Sequence, residues 1–174
     1  IARRQVELGA SGITVSTLYE ARVFADHGFD DVIWAFPLVP SRLPEVEKLS
    51  RRLRLGVVVD SREAVDLLVE SDAEVDVWIK VDCGYHRAGV DPRSTFALDL
   101  ARRLLDRPSI RFAGLLSHSG DAYGVVGDEA AQKIAEAERA QMVDLAERMR
   151  GEGVEVEGIS VGSTPAMTRA GDLA

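Results

Sequence analysis

Val75-Asp76-Val77-Trp78-Ile79-Lys80-Val81 runs without a break into Asp82-Cys83-Gly84-Tyr85-His86-Arg87-Ala88-Gly89-Val90. In an extended strand Val77, Ile79 and Val81 take one side and Trp78, Lys80 and Asp82 the other. The continuation is polar, flanked by glycine, and presents a cation. This is the pattern of a buried strand feeding a working loop. It recurs at Ser117-His118-Ser119-Gly120-Asp121-Ala122-Tyr123 and at Ser160-Val161-Gly162-Ser163-Thr164-Pro165. Strand ends of this kind, repeated along a chain, imply one shared site.

Working outward, near-continuous apolar runs occupy 13–15, 32–36, 55–59, 75–81, 112–116 and 159–161. Such runs are buried on both faces, the habit of parallel strands covered by helices. Helical patterns lie between them. Thr17-Leu18-Tyr19-Glu20 is a capping box, with Gly28 as the stop. His27 pairs with the negative end of that helix. Ser61 caps another helix, and Ala97, Leu100, Ala101 and Leu104 form the buried stripe of a third. A weaker helix follows Pro40 or Ser41 as far as Leu53. The longest is expected over 128–150, with Ile134, Ala135, Met142, Leu145 and Met149 near one face and Gly151 just past its end. Along it Glu129/Lys133 and Asp144/Arg148 form i,i+4 pairs. Strict βα alternation leaves an (α/β)8 barrel or a doubly wound open sheet. No G-x-G-x-x-G follows the first strand, so the barrel is favoured. A full barrel has eight strands in about 250 residues, and two strands are expected to lie outside these residues.

The chain carries a formal net charge of −8 over 174 residues, 46% of them apolar. It is long enough for a sizeable core, and length alone suggests one domain. A nucleic acid or an anionic membrane demands clustered Lys and Arg, so neither is expected as a partner. The pairs Arg3-Arg4, Arg51-Arg52 and Arg102-Arg103 read as solvated helix faces. Cys83 is the only cysteine, which permits neither an intrachain disulfide nor a cysteine-rich metal site. No signal peptide opens the sequence and no apolar run has the ~20 residues of a membrane helix, so the default location is cytoplasmic. The sequence begins at Ile1, already in helix-like residues, and is expected to be a piece of a longer protein.

In a parallel α/β fold, sites gather at the carboxyl ends of strands, so Arg87, His118 and the Gly162-Ser163-Thr164 turn can converge although distant in sequence. Taken singly, Arg87 reads equally as a surface ion pair, His118 as a structural histidine, and the turn as an ordinary turn. The physical case for the turn is that its backbone N–H groups and hydroxyls can converge on an anion without a lysine. Tyr85, His86 and Tyr123 lie in loops where they can line a pocket. Tyr123 is the stronger candidate because it follows His118 by five residues. Lys80, in a buried strand, needs an anionic partner or loses its charge, and is read as structural rather than as a reactive amine. Cys83 is read as inert packing.

Together these segments resemble the fold-type III pyridoxal-phosphate enzymes, the alanine racemase N-terminal domain superfamily. Within it the chain looks more like the D-threonine aldolase and D-serine dehydratase family than like the alanine racemases. The resemblance covers essentially the whole chain. It implies an α/β fold, a (β/α)8 TIM-type barrel of which residues 1–174 form a partial pyridoxal-phosphate-binding domain, about strands 2 to 7. The first strand and a C-terminal β-domain would lie outside it. It implies catalytic roles for Arg87, facing the cofactor's phenolate oxygen, and His118, at the ring face. Tyr123, Gly162, Ser163 and Thr164 are the implied cofactor-binding residues, the last three as a phosphate turn. Lys80 stands where alanine racemases have a lysine that positions the arginine. None of Lys48, Lys80 and Lys133 occupies the place of the family's Schiff-base lysine. No metal ligand is assigned in this chain, and a divalent metal, Zn or Mn, is implied only through the C-terminal domain.

The implied activity of the parent protein is that of a pyridoxal-phosphate-dependent lyase acting on β-hydroxy D-amino acids, of the D-serine dehydratase or D-threonine aldolase type. A small-molecule amino-acid substrate and a homodimer follow from the same resemblance. The chain by itself is not expected to be active. His118-Ser119-Gly120 and Gly162-Ser163-Thr164-Pro165 lean towards the dehydratase. The alternatives are an amino-acid racemase of the alanine-racemase type, which needs a second base on the opposite cofactor face, a non-catalytic pyridoxal-phosphate-binding protein, and a plain structural barrel.

Overall fold

The computed structural model describes residues 1–169. Helix and strand alternate: α1 (Ala2–Glu7), β1 (Ile13–Val15), α2 (Leu18–Asp26), β2 (Asp31–Pro37), α3 (Leu43–Ser50), β3 (Arg54–Val59), α4 (Arg62–Glu70), β4 (Val75–Lys80), α5 (Phe96–Leu105), β5 (Ile110–Leu116), α6 (Asp128–Gly151), β6 (Gly158–Ser160) and α7 (Thr164–Met167). The strands hydrogen-bond in chain order, β1 to β6, in one sheet. Sequential parallel winding is that of a (β/α)8-type barrel, here incomplete. A doubly wound sheet reverses its strand order. The six apolar runs each became a strand, with ends shifted by a residue or two.

The residues fall into two compact units, Ile1–Trp78 with Arg103–Phe112, and Ile79–Arg102 with the segment from Ala113 onward. In the first, β1 pairs with β2 from Ile13↔Val32 to Val15↔Trp34, and β2 with β3 from Asp31↔Arg54, with a bulge between Trp34 and Pro37. Val32, Leu55, Val57, Val58 and Val59 are fully buried, as continuous apolar strands require. The Thr17 capping box is complete: Glu20 N–H donates to Thr17 Oγ1 at 3.1 Å and Thr17 N–H to Glu20 Oε2 at 2.8 Å. His27 ends α2 with Nδ1 2.7 Å from the Val23 carbonyl, and Gly28 follows at φ 82°. Ser61 caps α4 through the Ala64 N–H. Pro44 sits in the first turn of α3, which a 3-10 turn at Pro40–Arg42 precedes.

In the second unit β5 pairs with β6 at Gly114↔Gly158, Leu115↔Ile159 and Leu116↔Ser160. Gly114 has φ 139°, and a Cβ there would stand 1.9 Å from the Gly158 carbonyl oxygen. Only glycine admits so close an approach, and it carries the end of β6 up beside the end of β5. α6 buries Ala131, Met142, Leu145, Ala146 and Met149 on one side. Ile134 and Ala135, expected on that face, are only half-buried. Gly151 is the last helical residue rather than the stop. Gly153, at φ 79°, turns the chain instead.

Candidate active site

Every residue singled out for chemistry lies in the second unit, at the ends of β4, β5 and β6. After Val81, whose N–H donates to the Leu116 carbonyl at 2.9 Å, the chain leaves the sheet, and Val90 bridges back to Val81. Asp82 organises the loop between. Its Oδ1 accepts from the N–H groups of Gly84 (3.1 Å) and His86 (2.9 Å), and its Oδ2 lies 3.0 Å from His86 Nδ1. Burial opposes its charge, but the two N–H donors and the imidazole outweigh burial and hold the carboxyl below the usual range. His86 accordingly takes φ 54°, rare for a residue with a side chain. Asp82 and His86 therefore shape the loop. The loop delivers Tyr85, whose ring lies against Gly120, where a Cβ would come within 2.4 Å of it. The Arg87 guanidinium stands 5.1 Å from the centre of the same ring, a cation–π contact.

His118 follows β5 between two aromatic rings, Tyr85 at 6.3 Å and Tyr123 at 6.4 Å between centroids. Its Nδ1 is 3.2 Å from the Gly162 carbonyl oxygen. A carbonyl only accepts, so Nδ1 carries the hydrogen and Nε2 keeps its lone pair. Burial first, then the positive charges of Arg87 and Lys80, hold the imidazole below its usual pKa, so it is neutral at pH 7. Ser119, buried, places its hydroxyl 3.4 Å from that of buried Ser163. Gly162 turns at φ 111°, and Thr164-Pro165 opens α7. The sequence thus named Arg87, His118, Tyr123, Gly162, Ser163 and Thr164, and the fold of this unit brings them to neighbouring strand ends.

Under this layer is a second, in which Lys80 and Cys83 are joined by Glu138 and Gln141 of α6, two residues the sequence does not single out. Glu138 of α6 is 2% exposed and Lys80 5%. Ser117 Oγ donates to Glu138 Oε1 at 2.6 Å. Burial and the repulsion of Arg87 bring the Lys80 ammonium down to about 8, against the pull of Glu138. Burial and the Glu138 charge push the Cys83 thiol up to about 12, with a hydrogen bond to Ser117 acting the other way. Gln141 Nε2 donates to the Cys83 carbonyl at 3.3 Å. The signal for Glu138 was present, since it lies in register with Ala131, Met142 and Leu145 on an otherwise apolar stripe. Its partners, however, are distant in sequence. Tyr85 lies farther from His118 along the chain than Tyr123 does, yet its ring is as close.

A phosphorylated aromatic ring needs hydroxyl and N–H donors, flat apolar contacts and positive potential. The cluster offers the hydroxyls of Ser119 and Ser163, the rings of Tyr85 and Tyr123, and the positive charges of Arg87 and Lys80, which add to burial in depressing His118. These residues fit such a group. Lys48 and Lys133 lie on exposed helix surface. Among the described residues no cluster of metal-ligating side chains occurs, and no helix is long and apolar enough to cross a membrane.

The sequence and the fold have counterparts. D-threo-3-hydroxyaspartate dehydratase of Delftia sp. is 39% identical over 99% of this chain and 47% of its own length. D-serine dehydratase of Dictyostelium discoideum is 32% identical over 88% of the chain and 42% of its own length, and D-threonine aldolase of an Arthrobacter species 29% over 94% and 44%. The solved structure of the Delftia dehydratase superposes with a TM-score of 0.93 at 40% identity, over 99% of this chain and 47% of that one. The chain thus spans about half the length of the curated relatives it matches. The sequence profile of the alanine racemase N-terminal domain matches residues 1–174, and the chain belongs to that family.

Proposed function

We propose that these residues are part of a pyridoxal-phosphate-dependent lyase acting on β-hydroxy D-amino acids, and more narrowly a dehydratase. Family membership supports the cofactor. The observation that carries the reading is the convergence at His118, which lies beside the rings of Tyr85 and Tyr123 with Arg87 stacked on the first and its own Nδ1 tied to the Gly162 turn. The three relatives named above share a D-amino acid carrying a β-hydroxyl, and the dehydratases among them have the higher identities.

Bound pyridoxal phosphate supplies an electron sink for bond cleavage at Cα. Ser163, Thr164 and the N–H groups of the turn would hold its phosphate, and Arg87, steadied by the Tyr85 ring, would be the cationic partner of its ring oxygen. Tyr123 and Tyr85 flank the imidazole of His118, which keeps its proton at Nδ1 against Gly162 and leaves Nε2 able to take one. A divalent metal belongs to the proposal only through residues outside this chain.

The test is turnover by the intact protein, loaded with pyridoxal phosphate and Zn or Mn, on D-threo-3-hydroxyaspartate, D-serine and D-threonine. The expected products are a keto acid and ammonia. Glycine with an aldehyde moves the assignment to the aldolase. Racemisation of alanine, or no reaction with any of the three, overturns the lyase.

A further inference from the structure

Lys80 and Glu138 are the two buried charged side chains among the described residues, and they are of opposite sign. A carboxylate that is 2% exposed has lost almost all its water, and one hydroxyl donor does not offset that loss. The Ser117 hydroxyl at 2.6 Å is such a donor. A buried ammonium is in the same position. A second buried charge of opposite sign lowers the cost of each. Glu138 favours the protonated form of Lys80, of Cys83 and of His118 alike. The attraction acts through the low-dielectric interior rather than through a contact ion pair.

The topology makes the pairing informative. Lys80 is the last residue of β4, and Ser117 immediately follows β5 and precedes His118. Glu138 and Gln141 are three residues apart on α6, one reaching Ser117 and the other the Cys83 carbonyl. α6 therefore meets both strand ends at polar points, and its one buried charge is bound at the end of β5.

We propose that Glu138 is a positioning residue of the site: anchored by Ser117, its carboxylate is the counter-charge that keeps the Lys80 ammonium in place and so maintains the positive potential at Arg87 and His118. The charged and titratable groups acting on Lys80 are Arg87, Asp82 and Cys83 from the segment after β4 and Glu138 from α6, and Lys80 in turn acts on His118 after β5. Glu138 alone faces it from a helix. The use made of this charge rests on the lyase reading, but its existence does not.

The experiment measures Lys80 in the intact, cofactor-free protein by trace acetylation with acetic anhydride from pH 6 to 11. The Lys80 peptide is quantified against that of exposed Lys133. The wild-type profile should bend near 8. In Glu138→Gln, which keeps an acceptor for Ser117 but loses the charge, it should move down by a unit or more, about tenfold in free amine below the bend. An unchanged profile in folded Glu138→Gln overturns the proposal. If that variant does not fold, the double variant Lys80→Met/Glu138→Leu decides, because removing both buried charges costs little where removing one costs much. A restored cooperative melt supports the pairing, and no restoration overturns it. Neither cofactor nor substrate enters the measurement, so failure of the lyase assay and failure of the pairing are separate results.

Discussion

Cys83 stands beside Lys80, Asp82 and Glu138, yet its thiol is held in its neutral form. Burial removes the water that would solvate a thiolate, the Glu138 charge adds repulsion, and together they push the group up to about 12. At pH 8 the native thiol should react with a disulfide reagent on the order of a thousandfold more slowly than the denatured one. Equal rates would show that the thiol is solvated and that Glu138 does not act on it. His118 is displaced in the opposite sense, its imidazole favoured neutral by burial and by Arg87 and Lys80. Its folded pKa lies below the unfolded one. Its contribution is therefore present above about 6.5 and lost as pH falls through the folded value. An NMR titration should find the His118 ring protons moving at lower pH in the folded protein than in the urea-denatured one. Coincident titrations would remove the two cations from its neighbourhood.

Much of the element scale was legible because it rests on local chemistry. Thr17 and Glu20 satisfy each other's backbone partners within one turn, and Ser61 needs only Ala64. The apolar runs needed only their own continuity. What stayed hidden depends on partners far along the chain: the Glu138 carboxylate answers to Ser117 and Lys80, and Tyr85 meets His118 only after β4 and β5 have been folded. The end of α6 was misplaced because Gly151 and Gly153 offer the same signal, and only the second takes a positive φ. Gly114 belongs to the hidden class too, since nothing in its neighbours announces the Gly158 carbonyl. A methyl group there would need the 1.9 Å contact to open, parting β6 from β5 and drawing the Ser163 turn away from His118. Gly114→Ala should cost more than about 3 kcal/mol, read as a fall in urea midpoint, whereas Gly127→Ala, with nothing within 4 Å of its Cβ, should cost less. Equal losses would mean that the β5–β6 approach is not what fixes Gly114.

At the scale of the whole chain the charges divide by strand end. The carboxyl ends of β4, β5 and β6 carry the candidate site. The opposite ends carry an alternating ladder in the first unit, Asp31, Arg54, Asp76 and Arg111, from four consecutive strands. Arg54 donates Nη1 to Asp31 at 3.2 Å and Nε to Asp76 at 2.6 Å, and Arg111 grips Asp76 with Nε and Nη2, each at 2.7 Å. In a βα-wound fold, ion pairs at the amino ends of strands stabilise rather than catalyse. Asp76 is the centre of this one, with a side chain only 15% exposed. Burial raises its pKa, but the bonds from Arg111 and Arg54 outweigh burial and hold it below the ordinary range. A depressed carboxyl contributes stability that is complete above its unfolded pKa, about 3.9, and that disappears as pH falls through the folded value. Asp76→Asn should therefore lower the stability of the intact protein by roughly 2 kcal/mol at pH 7. The difference from wild type should shrink towards zero in strong acid. Urea midpoints at pH 7 and pH 2.5 measure both. A variant as stable as wild type at pH 7 would make the ladder ornamental, and a difference undiminished at pH 2.5 would mean that Asp76 acts through packing and not through its charge.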